Sequence, residues 1–246
     1  MQTDVTRLIQ SHRSIRKYTD RPIPDDVLAD ILASAQWAPS SHNVQAYSIV
    51  VVRSAEKKKQ LAQLCGGQKW VETCPVFLVF CADFYKLKLA SDMHGSEFLA
   101  DEVENMLVAA VDTALAAENA LVAARSHGLG GVMIGGIRNQ PEDVARLLKL
   151  PVLTAPIMGM CLGYPDQDME QKPRLPKRAV IHEEEYRTEH LPEALEEYEA
   201  VSAEYYARRT RKDHAEGWTK QMADYLQKPR RPHLGDFLRK QGFPLK

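Results

Sequence analysis

The sequence has no surplus of charge of either sign: 32 Lys and Arg face 33 Asp and Glu, a formal net charge of −1. That balance excludes a general nucleic-acid binder, whose affinity rests on neutralising phosphates over a basic face. Cysteine is scarce as well. Cys65, Cys74, Cys81 and Cys161 form no C-x-x-C pair and offer no zinc-ligand spacing. Three of them border apolar segments, so they read as buried, reduced thiols of the kind a cytoplasmic protein keeps. Residues 1–10 (MQTDVTRLIQ) hold no continuous apolar stretch of a secretory signal. No uninterrupted apolar run approaches the roughly 18–20 residues that span a bilayer. The expectation is a soluble protein without a membrane or nucleic-acid partner.

Several catalytic motifs are missing too. The eight histidines form no H-E-x-x-H, and there is no G-x-S-x-G elbow or Walker loop. The glycine-rich run GLGGVMIGGIRN lacks G-x-G-x-x-G in register and follows a helical pattern instead of a strand, which disfavours a Rossmann dinucleotide fold.

What is present suits one large domain or two small ones at 246 residues. Val5, Leu8 and Ile9 predict a first helix capped at Thr3 or Asp4. Leu28, Ile31, Leu32 and Ala35 predict a second, between Pro24 and Pro39. YSIVVV (47–52) and VFLVFCA (76–82) read as strands buried on two faces. The segment 54–64 is helical in character, with Lys57, Lys58 and Lys59 as a solvated face. Residues 98–126 are Ala- and Leu-rich around most of their circumference, which predicts a central helix packed on several sides and ended by Gly128. A strand over 130–136, a helix over 140–150 with Pro141 in its first turn, and a strand over 155–165 follow. The two glycines inside that last strand suggest close backbone approach. The apolar core lies in 1–165. The remainder, 166–246, is a charged and mostly helical arm that wraps the core or a second subunit.

Four stretches could carry chemistry. The basic knot SHRSIRKYTD places His12, Arg13, Ser14 and Arg16 between two helices, where the arginines can fork onto phosphate oxygens; it reads equally as a solvated loop. The polar loop PSSHNVQ offers Ser40, Ser41, Asn43 and Gln45 at a strand end, or is an ordinary turn. GGVMIGG lets a flat ring or phosphate approach the main chain, or serves packing alone. KPRLPKR holds Lys172 and Arg174 on either side of a stiff proline, as an anion clamp or a surface linker. ARRTRK (207–212) is a solvated helix end or a second phosphate site. Anion clamps without an evident side-chain nucleophile point to chemistry delegated to a cofactor.

SHRSIRKYTD, PSSHNVQAY, GGQKWVE, VFCADFY, GGVMIGGIRN and KPRLPKRAVIHE, in that order, resemble the nitroreductase/flavin reductase family. The similarity is greatest to its NADPH-preferring oxygen-insensitive nitroreductases and NAD(P)H:FMN oxidoreductases, and it spans essentially the whole chain. The resemblance implies an α+β, nitroreductase-like fold with a mixed, mainly antiparallel sheet among helices, in an intertwined homodimer with FMN at the subunit interface. It implies that His12, Arg13, Ser14, Ile15 and Arg16 grip FMN. Ser40, Ser41, Gln68 and Trp70 would lie beside the flavin, and Met133, Ile134, Gly135 and Gly136 along the ring. Lys172 and Arg174 would sit near the phosphate or the N1/O2 side. Arg209, with Arg208 as neighbour, would contact the 2′-phosphate of NADPH, and NADH remains possible as co-substrate.

The resemblance implies ping-pong transfer of two electrons through flavin N5 to nitroaromatics, quinones or flavins. Arg16 or Lys172 would stabilise charge on the ring. No general acid is identifiable, which leaves solvent as the proton source. The alternatives are a reductase that supplies free reduced FMN, and a non-catalytic flavin-binding module. Residues 84–97 match the family weakly and are a candidate for substrate preference.

Overall fold

Strand β2 (Val76–Asp83) is buried along its whole length, and the fold is organised around it. The computed structural model describes residues 1–100, 102–209 and 216–243. Strands β1 (Tyr47–Val52), β3 (Gly130–Ile134) and β4 (Thr154–Gly163) complete a four-stranded sheet in the order β1-β2-β4-β3. Among the described residues every strand pair is antiparallel, and the one parallel pairing is an isolated bridge between Ser14 and Gly131.

Side chains alternate across the sheet, as a pleat demands. Leu78 and Phe80 of β2 join Met160 and Leu162 of β4 on one face. That face is covered by α2 (Asp25–Gln36) through Leu28, Ile31 and Ala35, and by α6 (Val103–Ser126) through Ala117, Ala120, Leu121 and Ala124. Phe77, Val79 and Cys81 point the other way with Cys161, Val132 and Ile134. There they meet Leu61 of α3 (Ala55–Leu64), Val71 of α4 (Lys69–Thr73) and Val144 of α7 (Pro141–Leu148). Fully burying each large aliphatic side chain contributes about 1.5–3 kcal/mol. Gly159 is required by this packing, since a Cβ there would stand 2.5 Å from the Phe77 ring. The close approach expected of the β4 glycines is therefore present.

Local signals set the helix ends. Thr3 caps α1 (Asp4–Gln10) in a capping box with Thr6. Pro141 occupies the first turn of α7, and Gly128 follows α6 at φ +75°. α5 (Tyr85–Met93) occupies most of the segment that matches the family weakly.

Three expectations need correction. β1 is the sheet edge, only partly buried along its middle, and not a two-face core strand. Lys58 is not solvated: it is 7% exposed, and its ammonium donates to the carbonyls of Cys74 and Pro75. α6 packs on one side through small residues and not all round; Val103, Leu107, Val111 and Leu115, spaced four apart, are 37–56% exposed. α6 is also long and apolar enough to cross a membrane by length and composition. Its alanine face, however, is buried against α2 and the sheet.

By internal packing, one unit comprises Met1–Met169 and the chain from Arg231, and another comprises Glu170–Arg230. α10 (Leu234–Lys240) belongs to the first, where Phe237, Leu238 and Phe243 pack with Phe84. The arm expected over 166–246 is thus divided. In the second unit, α8 (Leu191–Arg209) carries α9 (Trp218–Leu226). Tyr198 and Trp218 meet edge to face at 5.9 Å. Glu199 accepts the Thr219 N–H at 2.6 Å, and Ser202 accepts that of Trp218 at 2.8 Å.

Candidate functional site

The basic knot begins where α1 stops. Arg125 of α6 donates to the Leu8 carbonyl and to Ser11 Oγ at 2.9 Å, fixing that helix end. The chain then runs alongside β3. The Ile15 N–H donates to the Gly131 carbonyl at 2.9 Å. Its buried side chain fills the space over Gly130, where a Cβ would stand 2.5 Å from Ile15 Cγ1. The Tyr18 hydroxyl donates to the Ile15 carbonyl at 2.5 Å, and the Thr19 N–H to Tyr164 at 3.0 Å. Burial pushes the Tyr18 phenol far above its ordinary range, so it stays a neutral donor.

Arg16 lies inside this pinned segment, half-buried, its guanidinium 5.6 Å from the centre of the Trp70 ring. No carboxylate pairs with it among the described residues. Arg13 differs, because Asp168 holds it at 3.0 Å in an exposed pair worth no more than about 1 kcal/mol. His12 Nε2 lies 3.5 Å from Ser14 Oγ. The main-chain N–H of Ile15 is already engaged, so that residue places its neighbours.

Two more of the expected stretches meet here. Gln68 Nε2 donates to the Cys65 carbonyl at 2.8 Å and lies over Gly136. A Cβ at Gly136 would stand 2.4 Å from that nitrogen and 2.5 Å from the Cys65 oxygen. GGQKW and GGVMIGG are therefore joined, and only glycine fits the junction. β3 ends at Ile134 and turns into a short 3₁₀ segment at Gly135–Arg138, not the strand through 136 that was expected. Ile134 is buried and Met133 half-buried. Gly131 turns its carbonyl to Ile15, so Met133, two residues on, points its N–H and C=O the same way. No strand of the described residues covers that edge. Trp70 Nε1 is buried without a hydrogen-bond partner.

The serine loop makes polar contacts with α6. Ser40 Oγ donates to Asp112 at 2.6 Å and accepts the Gln45 N–H at 2.7 Å. The N–H groups of Ser41 and Ala46 donate to the same carboxylate at 3.3 and 3.1 Å. The Ser40 hydroxyl is thus committed within the protein, whereas Ser41 is exposed. His42, Asn43 and Gln45 all have positive φ (47°, 57° and 52°), a conformation that non-glycine residues rarely adopt. Sequence reasoning missed Asp112. The available signal was an acid inside the alanine-rich stretch NMLVAAVDTALAAENALVAARS.

In the second unit, the Tyr198 hydroxyl donates to the Pro173 carbonyl at 2.8 Å and fixes the proline between Lys172 and Arg174. Lys172 Nζ lies 5.0 Å from the Tyr206 ring centre, and Arg174 donates to the Lys172 carbonyl at 2.9 Å. Neither has an acidic partner among the described residues. They line a cavity of about 530 Å³ with Lys177, Tyr198 and Trp218. Arg208 is neutralised by Glu204 at 2.6 Å and Glu170 at 2.7 Å, and the bond to Glu170 raises its pKa most. Arg209 contacts Tyr205, with Nη1 3.3 Å from its hydroxyl. Residues 210–212 of ARRTRK lie outside the described residues.

The Nitroreductase family model matches residues 9–164, and the model of the Nitroreductase family, C-terminal domain, matches 172–246. The chain is 44% identical over 239 residues to a "CR(VI) reductase" of Pseudomonas sp. (strain G-1), covering 97% of this chain and 98% of the relative. It is 39% identical over 243 residues to an "FMN reductase [NAD(P)H]" of Bacillus subtilis (strain 168), covering 98% of each. The solved structure of B. megaterium NfrA2 superposes with a TM-score of 0.97 at 40% identity, covering all of both chains.

Proposed function

The chain belongs to the nitroreductase family, and from that premise we propose that it is an FMN-dependent NAD(P)H oxidoreductase acting on nitroaromatics, quinones or flavins. The observation that carries the reading is Arg16: a half-buried cation with an aromatic partner and no carboxylate among the described residues, on a segment pinned beside β3. The residues fit the cofactor. A phosphate needs a cation without an acidic partner among the described residues, which Arg16 supplies, and a flat heterocycle needs a shallow edge with backbone hydrogen-bonding groups, which Met133 supplies.

Bound FMN would supply the redox chemistry, two-electron hydride transfer between the nicotinamide and the acceptor. The chain's own task is placement and charge. Arg16 would set a positive charge beside the ring, and Lys172 offers a cation within the second unit. Gly136 and Gln68 keep the wall beside β3 flat. Arg209 is the better candidate for the 2′-phosphate of NADPH, because Arg208 is already held by two carboxylates.

The functional molecule in this reading is a homodimer with FMN at the interface. The stripe Val103, Leu107, Val111 and Leu115 on α6 supports it, since a second copy would remove these side chains from water. Four buried free cysteines support a reducing, cytoplasmic setting. Steady-state turnover with NADPH, comparing a nitroaromatic, a quinone and free FMN, tests the function. Turnover of at least one acceptor is expected, and failure with all three contradicts it. A strong preference for free FMN would make the protein a supplier of reduced flavin, as the name of its B. subtilis relative describes for that protein.

A further inference from the structure

We infer that Asp112 is the positioning residue of the serine loop, a buried latch on α6 that holds residues 40–46 in the shape that presents Ser41 to the cofactor. The inference rests on the FMN reading above. Asp112 is 1% exposed and receives three hydrogen bonds, from Ser40 Oγ and from the N–H groups of Ser41 and Ala46. No Lys, Arg or His pairs with it among the described residues. Its charge is therefore balanced by loop donors, and charge-assisted bonds to a buried carboxylate are the strong ones.

The loop depends on Asp112 in turn. His42, Asn43 and Gln45 sit at positive φ, a strained state that persists only where the surroundings over-determine it. Ser41, His42, Asn43 and Gln45 are exposed, leaving Val44 and Ala46 as the apolar anchors of the turn. Ser40 closes the circuit by donating to Asp112 and accepting from Gln45. Break the circuit, and the exposed turn relaxes toward ordinary backbone geometry. Asp112 would then govern cofactor affinity without touching the cofactor.

Asp112→Asn is the direct test, because the amide oxygen keeps an acceptor for Ser40 and the Ala46 N–H but the NH₂ is turned toward the Ser41 N–H donor. If the latched loop falls to about a tenth of the population, the apparent Kd for FMN rises about tenfold. Ser40→Ala should shift it in the same direction. The double variant should bind FMN no more weakly than Asp112→Asn alone, since both changes break one circuit. Hydrogen exchange at Ser41, Gln45 and Ala46 should accelerate in each variant, while exchange in β2 stays unchanged. A Kd within twofold of wild type in both single variants, with unchanged loop exchange, overturns the inference. Should Asp112→Asn fail to fold, Ser40→Ala carries the test. If the wild type itself does not bind FMN, the cofactor reading falls, and loop exchange alone decides the latch.

Discussion

Replacing Arg16 with alanine separates binding from folding, because the structure gives this side chain little to do in the fold. Its guanidinium lies 5.6 Å from the Trp70 ring centre and pairs with no carboxylate among the described residues; a contact of that kind contributes about 0.5–1 kcal/mol. The backbone around it is held independently by Ile15, Tyr18 and Thr19. Arg16→Ala should therefore fold with a melting temperature lowered by a few degrees at most. Its effect on FMN should be much larger. One charge-assisted hydrogen bond contributes about 1.5–3 kcal/mol, which weakens FMN by roughly 10- to 150-fold. Fluorescence titration of the apoprotein with FMN measures the Kd, and gel filtration shows whether the purified protein stays yellow. Arg16→Lys keeps the charge and loses the planar fork, so its affinity should fall between the two. An Arg16→Ala protein that binds FMN within twofold of wild type refutes the reasoning.

Arg209→Ala should raise the KM for NADPH about tenfold with little change for NADH, while Arg208→Ala changes either by less than about twofold. Equal effects on both coenzymes would remove Arg209 from the 2′-phosphate site. Lys58→Met should lower stability by about 1–3 kcal/mol in chemical denaturation, because the carbonyls of Cys74 and Pro75 lose their donor. Lys57→Met and Lys59→Met, on exposed positions, should stay within about 0.5 kcal/mol; three equal effects would show that Lys58 is not buried in solution. Burial pushes the thiols of Cys65 and Cys81 up to about 12 from an ordinary value of 9.0. The folded state therefore keeps protons that the unfolded chain releases first. These groups' contribution is complete below about pH 9 and is lost between about pH 9 and 12. Alkylation at about pH 8 should accordingly label the native thiols slowly, and fast labelling of all four would contradict their burial.

Much of this architecture was legible because short-range patterns encode it. The β-branched run at 76–82, the apolar stripe of α2 after Pro24 and the glycine after α6 each report a local preference that tertiary packing reinforces. The sequence also marked the knot, the GGQKW turn and the glycine strand as separate features. It could not show that Gln68 lies over Gly136, or that Ile15 bonds to Gly131, since both depend on how the sheet folds back on its loops. Lys58 was misread for a related reason. A lysine between two lysines has the local look of a solvated face, and only the carbonyls of Cys74 and Pro75, 16 and 17 positions away, give its ammonium a buried partner. Asp112 was hidden by its surroundings, because nothing within α6 indicates that three donors from residues 40–46 converge on it. The α6 stripe looked like core because its composition is apolar all round, and only the packing against α2 and the sheet decides which face is buried.

The central claim is that this chain holds FMN and passes electrons from NAD(P)H through it. Anaerobic addition of NADPH to the purified protein, followed by its visible flavin absorption band, tests that most directly. The account predicts a yellow protein whose band bleaches with about one equivalent of NADPH per bound flavin and returns when a quinone or nitroaromatic is added. A protein that is yellow but does not bleach with either NADPH or NADH would contradict it.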